Sequence, residues 1–259
     1  MNEFDELGEE IINLLYDSGM IKIFPDGPDE EGWKLKNGMW SPFYLQMRPI
    51  FSKKNSKIMM EKIGGALTVI VNDRLQDISK LVGVASAGVP ISVVMSYKSG
   101  IPICYTRRIC DVNSVEDLEK KCKDVSPNGG IPYGEHSLLE GQLDEGDNLL
   151  LVDDIITNGE SKLIAQKQVE YQAKHEKVTV NCNKVIVIID REQGGKQELK
   201  SKGLELYSLV PFKTKGLFWL QDKIDSGQFE MLLDYLRDPK IYQNINYRKK
   251  IRREFNILK

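Results

Sequence analysis

Five short runs of apolar residues, each tied to a neighbouring helical pattern, constrain this chain more than any other feature. The runs fall at 81–85, 101–105, 148–152, 185–189 and 204–210, and helical spacing occupies 56–72, 89–98, 160–175 and 193–202. A strand apolar along its whole length, not at every second residue, is buried on both faces. Such strands alternating with helices predict an α/β fold, a parallel sheet with helices on both faces. Sheets of this kind bind ligands beyond the carboxyl ends of their strands. Three such ends carry chemistry here: Ser86-Ala87-Gly88, Asp153-Asp154 and Asp190-Arg191.

Composition narrows the function classes. The 259 residues suit one large domain, or one domain with appendages. A formal net charge of −2 gives no global pull toward nucleic acid or an anionic membrane. The basic tail around Arg248, Lys249, Lys250, Arg252 and Arg253 reads as a solvated face. No apolar run reaches the length of a membrane span. The N-terminus is acidic and amphipathic, with Phe4, Leu7, Ile11, Leu14 and Leu15 at helical spacing, unlike a signal peptide. Four cysteines without a C-x-x-C pair argue against disulfides or zinc, so a cytoplasmic setting is expected.

The stretch LLLVDDIITNGES, 149–161, joins an apolar strand to two adjacent carboxylates and a small polar turn that opens a helix. Backbone N–H groups at such a turn can bind a phosphate. Asp153 and Asp154 can accept hydrogen bonds from sugar hydroxyls or help hold a hydrated cation. A sugar phosphate fits both halves; polar strand-end residues, or a phosphatase-like or receiver-like acidic pocket, are the alternatives. Residues 106–135 hold no strand and are long for a loop in such a domain, which suggests either a functional lid or a disordered segment. Inside it Ser114 stands as a helix N-cap with Asp117 three residues on. From Lys215 the chain reads as helical, with Leu217, Phe218, Leu220, Ile224, Phe229, Leu232, Leu233 and Leu236 as the apolar face.

VDDIITNGES resembles the PRPP-binding loop of type I phosphoribosyltransferases. Further segments resemble the orotate phosphoribosyltransferase family in order along the chain: LKNGMWSPFYLQMRPIFS (35–52), GVASAGVPIS (83–92), YGEHSLLEGQL (133–143) and IIDREQGGKQEL (188–199). Together they span roughly residues 5–210, and ordered matches are more specific than any one motif.

This resemblance implies a type I phosphoribosyltransferase fold over 1–214, with an N-terminal hood segment in 1–52 and a C-terminal helical extension over 215–259. It implies transfer of a phosphoribosyl group from PRPP to orotate, with Mg²⁺ held mainly through PRPP and water near Asp153 and Asp154. The PRPP contacts it implies are Lys36, Ser86, Ala87, Gly88, Asp153, Asp154, Ile155, Ile156, Thr157, Asn158, Gly159, Glu160 and Ser161. Tyr44, Thr157 and Arg191 would hold orotate. Arg107, Arg108 and Lys123 are the lid's catalytic candidates beside Asp153 and Asp154, with Lys120 and Lys121 as alternatives to Lys123. A homodimer sharing the lid across its interface is implied as well. The sequence departs from the family in one place. About two dozen residues separate Arg107-Arg108 from Tyr133-Gly134, several times the usual span, and Ile131 stands where the catalytic lysine is expected. A PRPP-sensing regulator without catalysis, and an enzyme for another base, are the rival readings.

Overall fold

The computed structural model describes residues 2–25, 32–35, 38–125, 138–255 and 257, with side chains of 123–125 excepted. They divide into two compact units, one of 1–53 with 210–259 and one of 54–209.

The first unit begins with α1 (Glu3–Asp17), whose N-cap Asn2 accepts from the Asp5 N–H and whose Ile11, Ile12 and Leu15 are buried. Two small antiparallel pairs follow. β1 (Ile21–Ile23) pairs with β4 (Phe43–Leu45), and β2 (Trp33–Lys34) pairs with β3 (Trp40–Ser41). The C-terminal segment returns to this unit and packs on its aromatics. Trp40 stacks on Tyr242 at 5.8 Å between ring centroids, and Phe43 stacks on Phe212 at 5.0 Å.

The second unit carries the sheet. In chain order it comprises α2 (Ser56–Arg74), β5 (Lys80–Gly83), α3 (Gly88–Ser99), β6 (Ile103–Thr106), α4 (Val115–Val125), β7 (Leu139–Glu140), β8 (Asn148–Ile156), α5 (Glu160–Glu176), β9 (Asn181–Asp190), α6 (Gly195–Ser201) and β10 (Glu205–Pro211), the last ending in the other unit. The strand order is β10-β9-β8-β5-β6-β7. β5, β6, β8 and β9 run parallel, and β7 is antiparallel to β6. Along β8, Leu149 and Leu151 join the core cluster that includes Leu163 and Val169 of α5, while the intervening Leu150 and Val152 are equally buried. Successive side chains point to opposite faces, so both faces of β8 are covered, as a continuously apolar strand requires.

The expected helix starting at Lys215 is broken into pieces: α7 (Leu217–Trp219), α8 (Ser226–Arg237) and α9 (Ile245–Glu254), with single turns between. Local chemistry explains the breaks. Asp225 caps α8 in a reciprocal capping box with Gln228, Pro239 stops it, and Asn244 caps α9.

At the amino end of β5, Lys80 is buried and its Nζ lies 2.8 Å from Asp144 Oδ2 and 2.7 Å from Asp147 Oδ2. It also donates to the Gln142 carbonyl. Removing one partner of a buried ion pair strands the other charge. Lys80→Met is therefore expected to cost about 3 kcal/mol in denaturant unfolding. A loss below about 1 kcal/mol would show the cluster to be energetically minor.

Candidate functional site

Three strand-to-helix connections of the second unit converge beyond the carboxyl ends of β5, β8 and β9. The first is 84–88. Its Ala85–Ser86 peptide is cis, Ser86 is exposed, and the Ala85 N–H donates to Thr106 Oγ1 at 2.9 Å. Gly88 opens α3 in very close contact with β8. A Cβ built on it would stand 2.0 Å from the Val152 carbonyl oxygen and 3.2 Å from the Asp153 Cα. Only glycine lets the two backbones approach so closely.

The second connection holds the acidic pair. β8 continues four residues beyond the expected end at 152, so Asp153 and Asp154 lie inside the strand and remain in register with β9. Their carboxylates serve the backbone locally. Asp153 Oδ1 accepts from the Asp154 N–H at 2.9 Å, and Asp154 Oδ1 accepts from the Ile155 N–H at 2.7 Å. Burial, and next the charge of Asp153, push the Asp154 carboxyl up to about 7. After Ile156, residues Thr157 and Asn158 turn the chain, Gly159 adopts φ +88°, and α5 begins at Glu160. Ser161 and Asn158 are exposed at this helix start, where the Glu160 N–H donates to Asn158 Oδ1 at 3.4 Å and the Lys162 N–H to the Gly159 carbonyl at 2.9 Å.

The third connection is 190–195. The Arg191 N–H donates to the Ile156 carbonyl at 3.1 Å, and Arg191 is 5% exposed. A Cβ on Gly195 would stand 2.6 Å from the Thr157 carbonyl oxygen. Asp190 accepts from the Glu192 N–H, and burial raises its carboxyl above the usual carboxylate range. The structure thus brings Ser86–Gly88, Asp153–Ser161 and Arg191 together at one end of one sheet.

The long segment after β6 is anchored at its root. Arg107 pairs with Glu140 at 3.3 Å, Arg108 is exposed, and Gln168 of α5 donates to the Arg107 carbonyl at 2.8 Å. Gln172 accepts from the Leu138 N–H on the far side. The expected helix within the segment is α4. The Asp117 N–H donates to Ser114 Oγ, and the Ser114 N–H donates to Asp117 Oδ2, at 3.1 and 3.0 Å. Its Leu118 and Cys122 pack with Ile109 and Leu138, against Ile164 and Tyr171 of α5. Lys121 is engaged locally, donating to the Cys110 carbonyl. One further bond reaches the phosphate-loop turn: Glu160 Oε1 accepts from the Val115 N–H at 3.0 Å.

Other expected residues belong to the first unit or fall outside the described residues. Tyr44 belongs to the first unit, on β4, stacked on Trp33 at 6.2 Å. Lys36, the Lys123 side chain, Ile131 and Tyr133-Gly134 fall outside the described residues. Sequence reasoning missed Lys162, whose Nζ lies 2.7 Å from Asp153 Oδ2 with both side chains buried. Among the described residues no three His, Cys, Asp or Glu side chains gather in a metal-binding group. Two adjacent carboxylates, one held by Lys162, suit a cation carried by a phosphorylated substrate better than a cage built by the protein.

No family model matches the chain. It is 25% identical over 235 residues to uridine 5′-monophosphate synthase of Bos taurus, covering 90% of this chain and 42% of that one. The chain thus spans under half the length of that relative. It is 27% identical over 207 residues to orotate phosphoribosyltransferase of Pyrobaculum islandicum, covering 79% of this chain and 90% of the relative. Among solved structures, orotate phosphoribosyltransferase from Aeropyrum pernix superposes with a TM-score of 0.55 at 20% identity, over 82% of this chain and 98% of that one. The chain has the type I phosphoribosyltransferase fold and is related in sequence to the orotate phosphoribosyltransferases.

Proposed function

We propose that this chain is an orotate phosphoribosyltransferase of pyrimidine biosynthesis. It would convert orotate and PRPP to orotidine 5′-monophosphate and pyrophosphate. The observation that carries the reading is the packing of the 86–88 turn against the backbone at Val152 and Asp153, just before the acid pair ends and the 157–161 loop follows in the chain. A ribose with phosphate at one end and pyrophosphate at the other matches that order.

In this reading the 157–161 turn that opens α5, with the Thr157 and Ser161 hydroxyls, holds the 5′-phosphate. Asp153 and Asp154 face the ribose hydroxyls and fix the sugar while positive charge develops at its anomeric carbon. The bond from that carbon to the pyrophosphate oxygen breaks as the bond to the orotate ring nitrogen forms, and the ring N–H proton is released. Backbone amides at 86–88, with Lys36, Arg107 and Arg108, receive the departing anion. Tyr44 and Arg191 hold orotate, a flat anion suited to stacking and to a guanidinium fork. Mg²⁺, bound with PRPP near Asp153 and Asp154, would neutralise pyrophosphate charge. A homodimer with the 106–135 segment shared between subunits completes the reading, with Lys120 and Lys123 as candidate lid cations.

The test is loss of orotate absorbance in the presence of PRPP and Mg²⁺. Turnover is expected, and Asp153→Asn combined with Asp154→Asn is expected to lower it at least a hundredfold. PRPP binding without turnover of orotate or any other base would overturn catalysis and leave a sensor.

A further inference from the structure

Lys162 sits in the first turn of α5, one residue past the loop that opens the helix. It is 3% exposed. Its ammonium carries three donors, and three acceptors meet it: Asp153 Oδ2 at 2.7 Å, the Ile155 carbonyl, and Ser161 Oγ at 3.3 Å. The side chain thus reaches back from the helix to β8 and joins both ends of the 155–161 turn. Two physical costs attend this position. A helix N-terminus disfavours a cation, and burying an ammonium requires removing its water. A buried ion pair replaced by apolar side chains of similar size is often no less stable. Fold stability alone therefore gives poor grounds for a lysine here.

The neighbourhood supplies a better reason. Asp153, Asp154 and Glu160 place three carboxylates within one short segment that, on the function proposed above, must accept a polyanion. We propose that Lys162 is a positioning residue of the sugar-phosphate site. It locks the Asp153 carboxylate in one orientation beneath the ribose and supplies buried positive charge that lets PRPP approach the acid pair. This role rests on the reading of the site as one for PRPP. Lys162 itself touches Asp153 and the turn, not the reacting atoms.

Calorimetric titration of PRPP with Mg²⁺ tests this, without turnover, on the wild type and on Lys162→Met, Lys162→Gln and Lys162→Arg. Met and Gln are each expected to weaken PRPP binding at least tenfold, and Arg, which keeps the charge, by no more than about threefold. In steady state the KM for PRPP is expected to rise while the KM for orotate stays. Gln retains a hydrogen-bond donor for Asp153 and serves if the Met variant does not fold. A folded Met or Gln variant that binds PRPP as the wild type does, with only its Tm altered, would overturn the proposal and make Lys162 purely structural. A wild type that does not bind PRPP would instead refute the reading of the site, and the Lys162 role with it.

Discussion

A Gly88→Ala variant is expected to lose about 3 kcal/mol of stability and most of its PRPP affinity. The added methyl group would stand 2.0 Å from the Val152 carbonyl oxygen and 3.0 Å from its carbon. Both atoms belong to the central strand, whose neighbours β5 and β9 hold it on either side. Neither can rotate away as a side-chain tip could, so α3 must shift off the sheet and take the 86–88 amides with it. Gly100 provides the control. It caps α3 at φ +76° with nothing within 4 Å of a built Cβ. Gly100→Ala should cost only the left-handed backbone penalty, about 1 kcal/mol, and leave PRPP binding intact. Equal losses in urea unfolding would show that the close approach at Gly88 is not what the position requires.

Asp154→Asn is expected to raise stability while abolishing most turnover. The wild-type carboxyl titrates near 3.8 when unfolded and about 7 in the fold. Between those values the native state keeps a proton that the unfolded chain has released, so wild-type stability falls as pH rises from about 4 toward 7. Above the folded value both states are ionised and the loss is complete. Asparagine avoids it. The variant's advantage should therefore grow from pH 4 to 7 and level off above, at about 2–4 kcal/mol. Thermal melts at pH 4.5, 6 and 8 measure it, and an advantage that does not change with pH would disprove the burial argument. The orotate assay on the same protein should show at least a hundredfold loss. The pair of results would mark Asp154 as a group kept for chemistry at the expense of the fold.

The sheet was legible because its signal is redundant. β8 and β9 each carry a continuous apolar run, 149–152 and 185–189, and helices of the right period follow β5, β8 and β9. The cap of α4 was legible for the same local reason: Ser114 and Asp117 have the spacing that reciprocal capping needs. Lys162, Gln168 and Gln172 were not legible. All three are buried polar residues on α5, each at most 3% exposed. A helix pattern assigns lysine and glutamine to the solvated face, and only their tertiary partners reveal otherwise. The breaks after Lys215 were obscured in the opposite way. The apolar spacing runs across Asp225, while the capping box there is formed by a Gln in place of the usual Glu. Tyr44 was singled out through a resemblance, but its stacking on Trp33 was not legible, since contact between two separate strand pairs leaves no periodic trace.

The docking of α4 on α5 bears on attempts to trim this protein. An engineer matching the chain to shorter relatives would delete the segment between Arg107 and Leu138 as surplus. That cut would uncover Ile164 and Tyr171, a sticky apolar patch on the side of α5 that α4 covers. It would also disturb the Arg107 and Leu138 backbone groups that Gln168 and Gln172 bind. The minimal version is thus expected to precipitate before its catalysis can be compared, unless Ile164 and Tyr171 are made polar in the same step. The insertion has become a wall of the building, and its removal calls for new cladding.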